Sequence, residues 1–208
     1  MFGTDYSAFA VVAAALVISP GASMAVVTET ALERGRRAAL LTVAGINIAN
    51  SSLALSSMLG LSAILHRWPS LLRIVSIGGA FFLVYLGLRA LVRAWRPDVP
   101  HLQKPTGSKA AHPTSAVARG IMTNLLNPSV VLFYMLLLPQ FIRSTDAFMQ
   151  GFLLLAGTHV LMSLVWLASY ALAIGTLSER LARPHVRRIM QIITAAVLLF
   201  LGIKLALR

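Results

Sequence analysis

Runs without a single Asp, Glu, Lys or Arg alternate along the chain with short charged clusters. The uninterrupted runs cover residues 6–28, 38–66, 74–88, 120–142, 147–178 and 189–203. A bilayer core about 30 Å thick needs about 20 apolar residues per helical crossing. The first, second, fourth and fifth runs meet that length as they stand. The runs at 74–88 and 189–203 are shorter, and end cations that snorkel, such as Arg73, Arg89, Arg93 and Lys204, lengthen them. No stretch alternates apolar and polar with period two, so a membrane β-barrel is not supported. The pattern predicts an all-α integral membrane fold of six transmembrane helices.

Two long runs followed by a short one occur twice, which divides the chain into a first three-helix half at 1–93, a linker loop at 94–116 and a second half at 117–208. Together they form one transmembrane domain. An odd number of crossings per half inserts the second half upside down, giving a three-plus-three inverted repeat of the kind secondary transporters use. The linker holds Pro97, Pro100, Pro105 and Pro113 with Lys104 and Lys109, and reads as a mobile connection.

Composition agrees and adds an orientation. The 208 residues are 58% hydrophobic and 12% charged, with a mean hydropathy of +0.81, whereas soluble domains carry about a quarter charged residues. The net charge of +12 does not predict a nucleic-acid partner, because long charge-free runs separate the cations instead of gathering them on one wet face. Of the 18 Lys and Arg, 13 fall in the segments around 34–37, 89–119 and 180–188. The positive-inside rule places those segments in the cytoplasm and both termini outside, in the periplasm for a bacterial inner (plasma) membrane. Met1 to Asp5 carries no Lys or Arg, so the first helix lacks the basic flank of a cleavable signal and is expected to be retained. With no cysteine there is no thiolate chemistry.

Ser19-Pro20-Gly21 interrupts the first helix and Asn127-Pro128-Ser129 the fourth, at matching places in the two halves. Proline suits the first position of a helix, with Ser or Asn before it as N-cap. Each motif therefore predicts a helix that ends and restarts inside the membrane, exposing amide groups that favour a carboxylate; a simple proline kink is the bland alternative. Few polar residues lie at depth: Asn47 and Asn50 in the second helix, Asn124 in the fourth, Thr158 and His159 in the fifth. They read either as interhelical hydrogen bonds or as a substrate pathway. Glu29 and Glu33, at the cytoplasmic end of the first helix, are expected to pair with Arg34, Arg36 and Arg37. His159 is the buried group whose ordinary pKa, about 6.5, lies near physiological pH; it, Glu29 and Glu33 are the candidates for proton coupling. No second His, Asp or Glu lies near His159 in sequence to complete a catalytic dyad or a metal site, which argues against an enzyme.

One ordered set of motifs runs through nearly the whole chain: Ser19-Pro20-Gly21; Ala31-Leu32-Glu33-Arg34-Gly35-Arg36-Arg37; Gly45; Gly78 to Arg89 with Tyr85-Leu86-Gly87; Gly120-Ile121-Met122-Thr123-Asn124-Leu125-Leu126-Asn127-Pro128; and Leu138-Pro139-Gln140-Phe141. It resembles the LysE/RhtB family of bacterial amino-acid exporters. The family's Pro-Gly-Pro in the first helix stands here as Pro20-Gly21-Ala22, one proline short. The resemblance implies export of an amino acid or close derivative from the cytoplasm, driven by proton entry and without a cofactor. The partners are then a small amino acid, protons and the lipid bilayer, with a homodimer as a candidate assembly. Ser19, Pro20, Gly21, Asn47, Asn50, Asn124, Asn127 and Pro128 are the candidate substrate-binding residues. Rival readings are a divalent metal-ion efflux protein, for which only His159 offers a ligand at depth, and a non-transporting membrane scaffold.

Overall fold

The computed structural model describes residues 5–67, 71–95, 113–142, 147–174 and 183–207. Every element among them is helical: α1 (Tyr6–Ile18), α2 (Ala22–Arg67), α3 (Leu71–Trp95), α4 (Pro113–Leu125), α5 (Pro128–Leu132), α6 (Phe148–Leu172) and α7 (Pro184–Ala206). After α5 the chain widens into a π-helical turn, Phe133–Leu137, and ends in a 3-10 turn, Leu138–Phe141. Residues 96–112 of the expected linker lie outside the described residues. The flanks of that linker are already helical, since α3 runs to Trp95 and α4 begins at Pro113, a proline at the first helical position.

Among the described residues four helical stretches are long and apolar enough to cross a membrane, namely Tyr6–Ser62, Ile77–Trp95, Phe148–Leu172 and Pro184–Lys204; the pair Thr114–Leu125 and Pro128–Phe141, bent by 60°, makes a fifth. The first stretch is 57 residues long, far beyond the ~20 of one crossing. It contains the break at residues 19–21 and a reversal at Gly35. Thr42 Oγ1 lies 3.4 Å from Thr30 Oγ1, whereas twelve residues of straight helix would part them by about 18 Å. The chain therefore doubles back on itself at Gly35, whose φ of 82° and ψ of 175° suit a residue without Cβ. The Arg34–Arg37 segment that the charge pattern reads as a loop is a one-residue turn between two helical arms.

Polar contacts give the helices their relative directions. Thr42 meets Ala116 and Asn50 meets Asn124, so the second arm of α2 runs parallel to α4. Tyr6 meets Thr158 and Thr28 meets Tyr170, so the path from α1 into α2 runs parallel to α6. The α2–α4 contact is close enough that a Cβ on Gly45 would strike the Val117 carbonyl, and one on Gly120 the Thr42 carbonyl. On the opposite side α3 and α7 run antiparallel. There a Cβ on Gly87 would fall 2.7 Å from Leu199 Cγ and one on Gly202 would fall 2.9 Å from Val84 Cγ2. Between these layers Phe9, Phe133, Tyr134, Leu137, Phe141 and Phe152 form the buried core that joins α1, the π turn and α6.

Because both neighbours of Gly120 are backbone atoms that cannot rotate away, Gly120→Leu is expected to destabilise the fold by roughly 1–3 kcal/mol, the usual cost of overpacking. Nothing lies within 4 Å of a Cβ on Gly60, so Gly60→Ala should leave stability unchanged or slightly raised. Thermal unfolding of the detergent-solubilised protein separates the two.

Candidate functional site

Both helix interruptions are present and both face one cavity of about 230 Å³, below the ~300 Å³ at which pockets for drug-sized ligands begin. At the first, α1 ends at Ile18 and α2 starts at Ala22. Ser19 is extended, with ψ of 129°, and its N–H donates to Ala15 O at 3.1 Å. Ser19 thus closes the first segment and does not cap the second, as the Ser-Pro pair suggests it should. The cap position passes to Gly21, whose carbonyl accepts from Ala25 N at 3.0 Å. At the second interruption the sequence reading holds: Asn127 Oδ1 accepts from Ser129 N at 3.0 Å and Pro128 opens α5.

Broken helices release carbonyl groups that need donors, and α7 reaches two carbonyls here, one of them already shared with Ser19 N–H. Gln191 Nε2 donates to Pro20 O at 3.3 Å and Thr194 Oγ1 to Ala15 O at 3.4 Å. Both side chains are buried and line the cavity. They are the only polar residues of the 189–203 run, and that isolation was the available sequence signal for them.

A chain of side-chain hydrogen bonds crosses the cavity floor. Ser23 Oγ donates to Asn124 Oδ1 at 3.0 Å, Asn124 Nδ2 to Asn50 Oδ1 at 2.8 Å, and Asn50 Nδ2 to Ser163 Oγ at 3.4 Å. This joins both arms of α2 to α4 and α6. His159, near the middle of α6, shares a hydrogen bond with Tyr134 Oη at 2.8 Å through Nδ1 and stacks on Phe133 with ring centroids 4.3 Å apart. The π turn makes this contact available, because its wider winding turns the consecutive rings of Phe133 and Tyr134 onto the same histidine. Ser19, Pro20, Gly21, Asn50, Asn124, Asn127 and His159 line the cavity.

Four candidates are not part of the wall; one is Pro128, which opens α5 between the lining residues Asn127 and Ser129. Asn47 donates to Val43 O at 2.9 Å within its own helix and is not part of the cavity wall. Glu29 and Glu33 both grip Arg119 of α4, at 2.7 and 2.9 Å, and not the nearby arginines. Arg34 donates instead to Ser115 Oγ at 2.9 Å. The Gly35 turn carries Arg34 away from the acids and α4 brings Arg119 to them, a tertiary pairing that sequence spacing does not reveal. Two cations not expected at the site line it as well, Arg89 and Arg93 of α3. No acidic side chain lines it, and no group of three metal-ligating side chains comes together among the described residues.

The LysE type translocator family model matches residues 14–208. Among curated proteins the chain is 26% identical over 204 residues to an uncharacterized membrane protein of Bacillus subtilis, covering 96% of this chain and 97% of the relative. It is 28% identical over 167 residues to the homoserine/homoserine lactone efflux protein of Salmonella typhimurium, covering 80% and 77%. To the leucine efflux protein of an Enterobacter species it is 29% identical over 155 residues, covering 74% and 71%. No solved structure matches the chain. The chain belongs to the LysE type translocator family, a membrane transporter family, and has amino-acid efflux proteins among its relatives.

Asn124 holds the centre of the buried chain, so Asn124→Ala strands Asn50 Oδ1 and removes the acceptor of Ser23. The expected cost is about 1–3 kcal/mol for the unsatisfied buried group. It should appear as a lowered unfolding midpoint, while Asn47→Ala, outside the chain of bonds, should cost less in the same measurement.

Proposed function

We propose that the protein is a six-crossing, three-plus-three inverted-repeat transporter that exports a small amino acid from the cytoplasm, coupled to proton entry, with the cavity at the two helix interruptions as its binding site. The observation that carries this reading is the convergence of both broken helices, from corresponding places in the two halves, on one small cavity. Within it the first break offers the carbonyl end of α1, through Leu16 and Val17, and the amide end of α2 at Ala22 and Ser23. A zwitterion presents a positive group, for which the carbonyl end of α1 is a partner.

Six crossings follow from counting the reversal at Gly35 as the end of the first crossing and the bent α4–α5 pair as one. The helix directions support that count. Elements two or four crossings apart are then parallel, as α2 with α4 and α1 with α6, and α3 and α7, three apart, are antiparallel. The inverted repeat draws support from the α3–α7 contact: Gly87 packs on Leu199 and Gly202 on Val84, and both Gly87 to Gly202 and Val84 to Leu199 are 115 residues apart. Exchanging the halves exchanges the two contacts. The cationic clusters favour a cytoplasmic Gly35 turn and periplasmic termini.

A phosphatase fused after residue 105 is expected to be inactive and one fused at the C-terminus active; the reverse pattern would sink the orientation.

Cells loaded with dipeptides of threonine, homoserine or leucine and carrying this protein are expected to release the free amino acid faster than cells lacking it. If His159 carries the coupled proton, His159→Gln should retain downhill release but lose the dependence of export on external pH. An unchanged pH profile in that variant would move the coupling to Glu29 and Glu33.

A further inference from the structure

Arg89 and Arg93 lie one helical turn apart on α3, and both face the cavity. Among the described residues no acidic side chain lines this cavity. The described acids are held elsewhere: Glu29 and Glu33 by Arg119, and Asp5 at the far end of α1. A lysine or arginine that only snorkels turns its head outward to the lipid headgroups. Arg89 instead donates across the gap to Ser129 Oγ at 3.3 Å, in the first turn of α5, beside the Asn127 cap. Its guanidinium is thus delivered to the second helix interruption, and α3 bridges to the site made by the other half of the chain.

We infer that Arg89 is the anchor for the carboxylate of the transported molecule and that it makes the site selective for neutral, carboxylate-bearing amino acids over cationic ones. The inference rests on the reading of this cavity as the transport site. A guanidinium engages a carboxylate through two parallel N–H···O bonds, and Ser129 stands within reach to add a hydroxyl donor. The same charge disfavours a substrate with a cationic side chain, which would bring a second positive group beside the guanidinium. The uncharged Asn124, Asn50, Ser163 and His159 then face the remainder of the substrate.

The test uses the purified full-length protein in detergent and follows its unfolding midpoint with threonine, homoserine and leucine, each against its carboxamide and against lysine. At least one neutral amino acid is expected to bind, its carboxamide and lysine at least tenfold more weakly. Arg89→Gln should lose at least tenfold in affinity for the acid and close the gap between acid and amide; Arg89→Lys, which keeps the charge and guards against a folding defect, should lose less. Equal binding of acid and amide by the wild type, or wild-type affinity in Arg89→Gln, overturns the anchor. If no amino acid binds but acetate protects the protein through Arg89, the amino-acid reading fails and the carboxylate anchor stands. Protection by phosphatidylglycerol alone would assign Arg89 to lipid and overturn the inference.

Discussion

A helix interrupted within a bilayer releases backbone groups that lipid cannot satisfy, and the architecture around the cavity follows from where their partners come from. At the second interruption the partner is local, because Asn127 caps its own restart. At the first, Ser19 N–H reaches Ala15 O, and Gln191 and Thr194, more than 170 residues later in the sequence, add donors to Pro20 O and Ala15 O. The last helix is drawn against the first break by this requirement. The groups that satisfy the backbone are also the groups that wall the cavity, so stability and site share the same residues.

The proline motifs and the charge-free runs were readable from the sequence because they report on local chemistry: proline lacks a donor, and a run of apolar residues has one thermodynamic destination near lipid. The helix interruptions and the depth of Asn50, Asn124 and His159 were legible for that reason. The role of Ser19 was misread, since proline permits a helix start but does not compel it, and the glycine after it allowed the chain to stay extended for longer. The partners of Glu29 and Glu33 were out of reach. A one-residue turn at Gly35 sets which cations stand near them, and only the packed fold brings Arg119 between the two carboxylates. Arg89 was hidden by a correct generalisation, that arginines near helix ends snorkel, which its contact with Ser129 overrides.

The two glycine contacts divide the molecule into bodies of unequal tightness. Gly45 and Gly120 bring α2 and α4 into backbone contact, and that layer is reinforced by the Arg119 clamp at 2.7 and 2.9 Å and by the Asn124–Asn50 bond at 2.8 Å. Gly87 and Gly202 make a second close pair of α3 and α7. Three hydrogen bonds cross the seam between these bodies: Arg89 to Ser129 at 3.3 Å, Gln191 to Pro20 at 3.3 Å and Thr194 to Ala15 at 3.4 Å.

The cavity lies on that seam, with its wall drawn from both bodies. A transporter must open its site first to one side and then to the other, and the least costly opening breaks the weakest contacts while leaving packed layers whole. On the proposed reading, the α3–α7 pair moves against the α2–α4–α6 layer, because parting α2 from α4 would strip two carboxylates from their shared arginine. A bound carboxylate at Arg89 would be held by α3 on one side and by the first turn of α5 on the other, and so would tie the two bodies together. An empty site lacks that tie, which makes occupancy itself a term in the balance between open and closed forms.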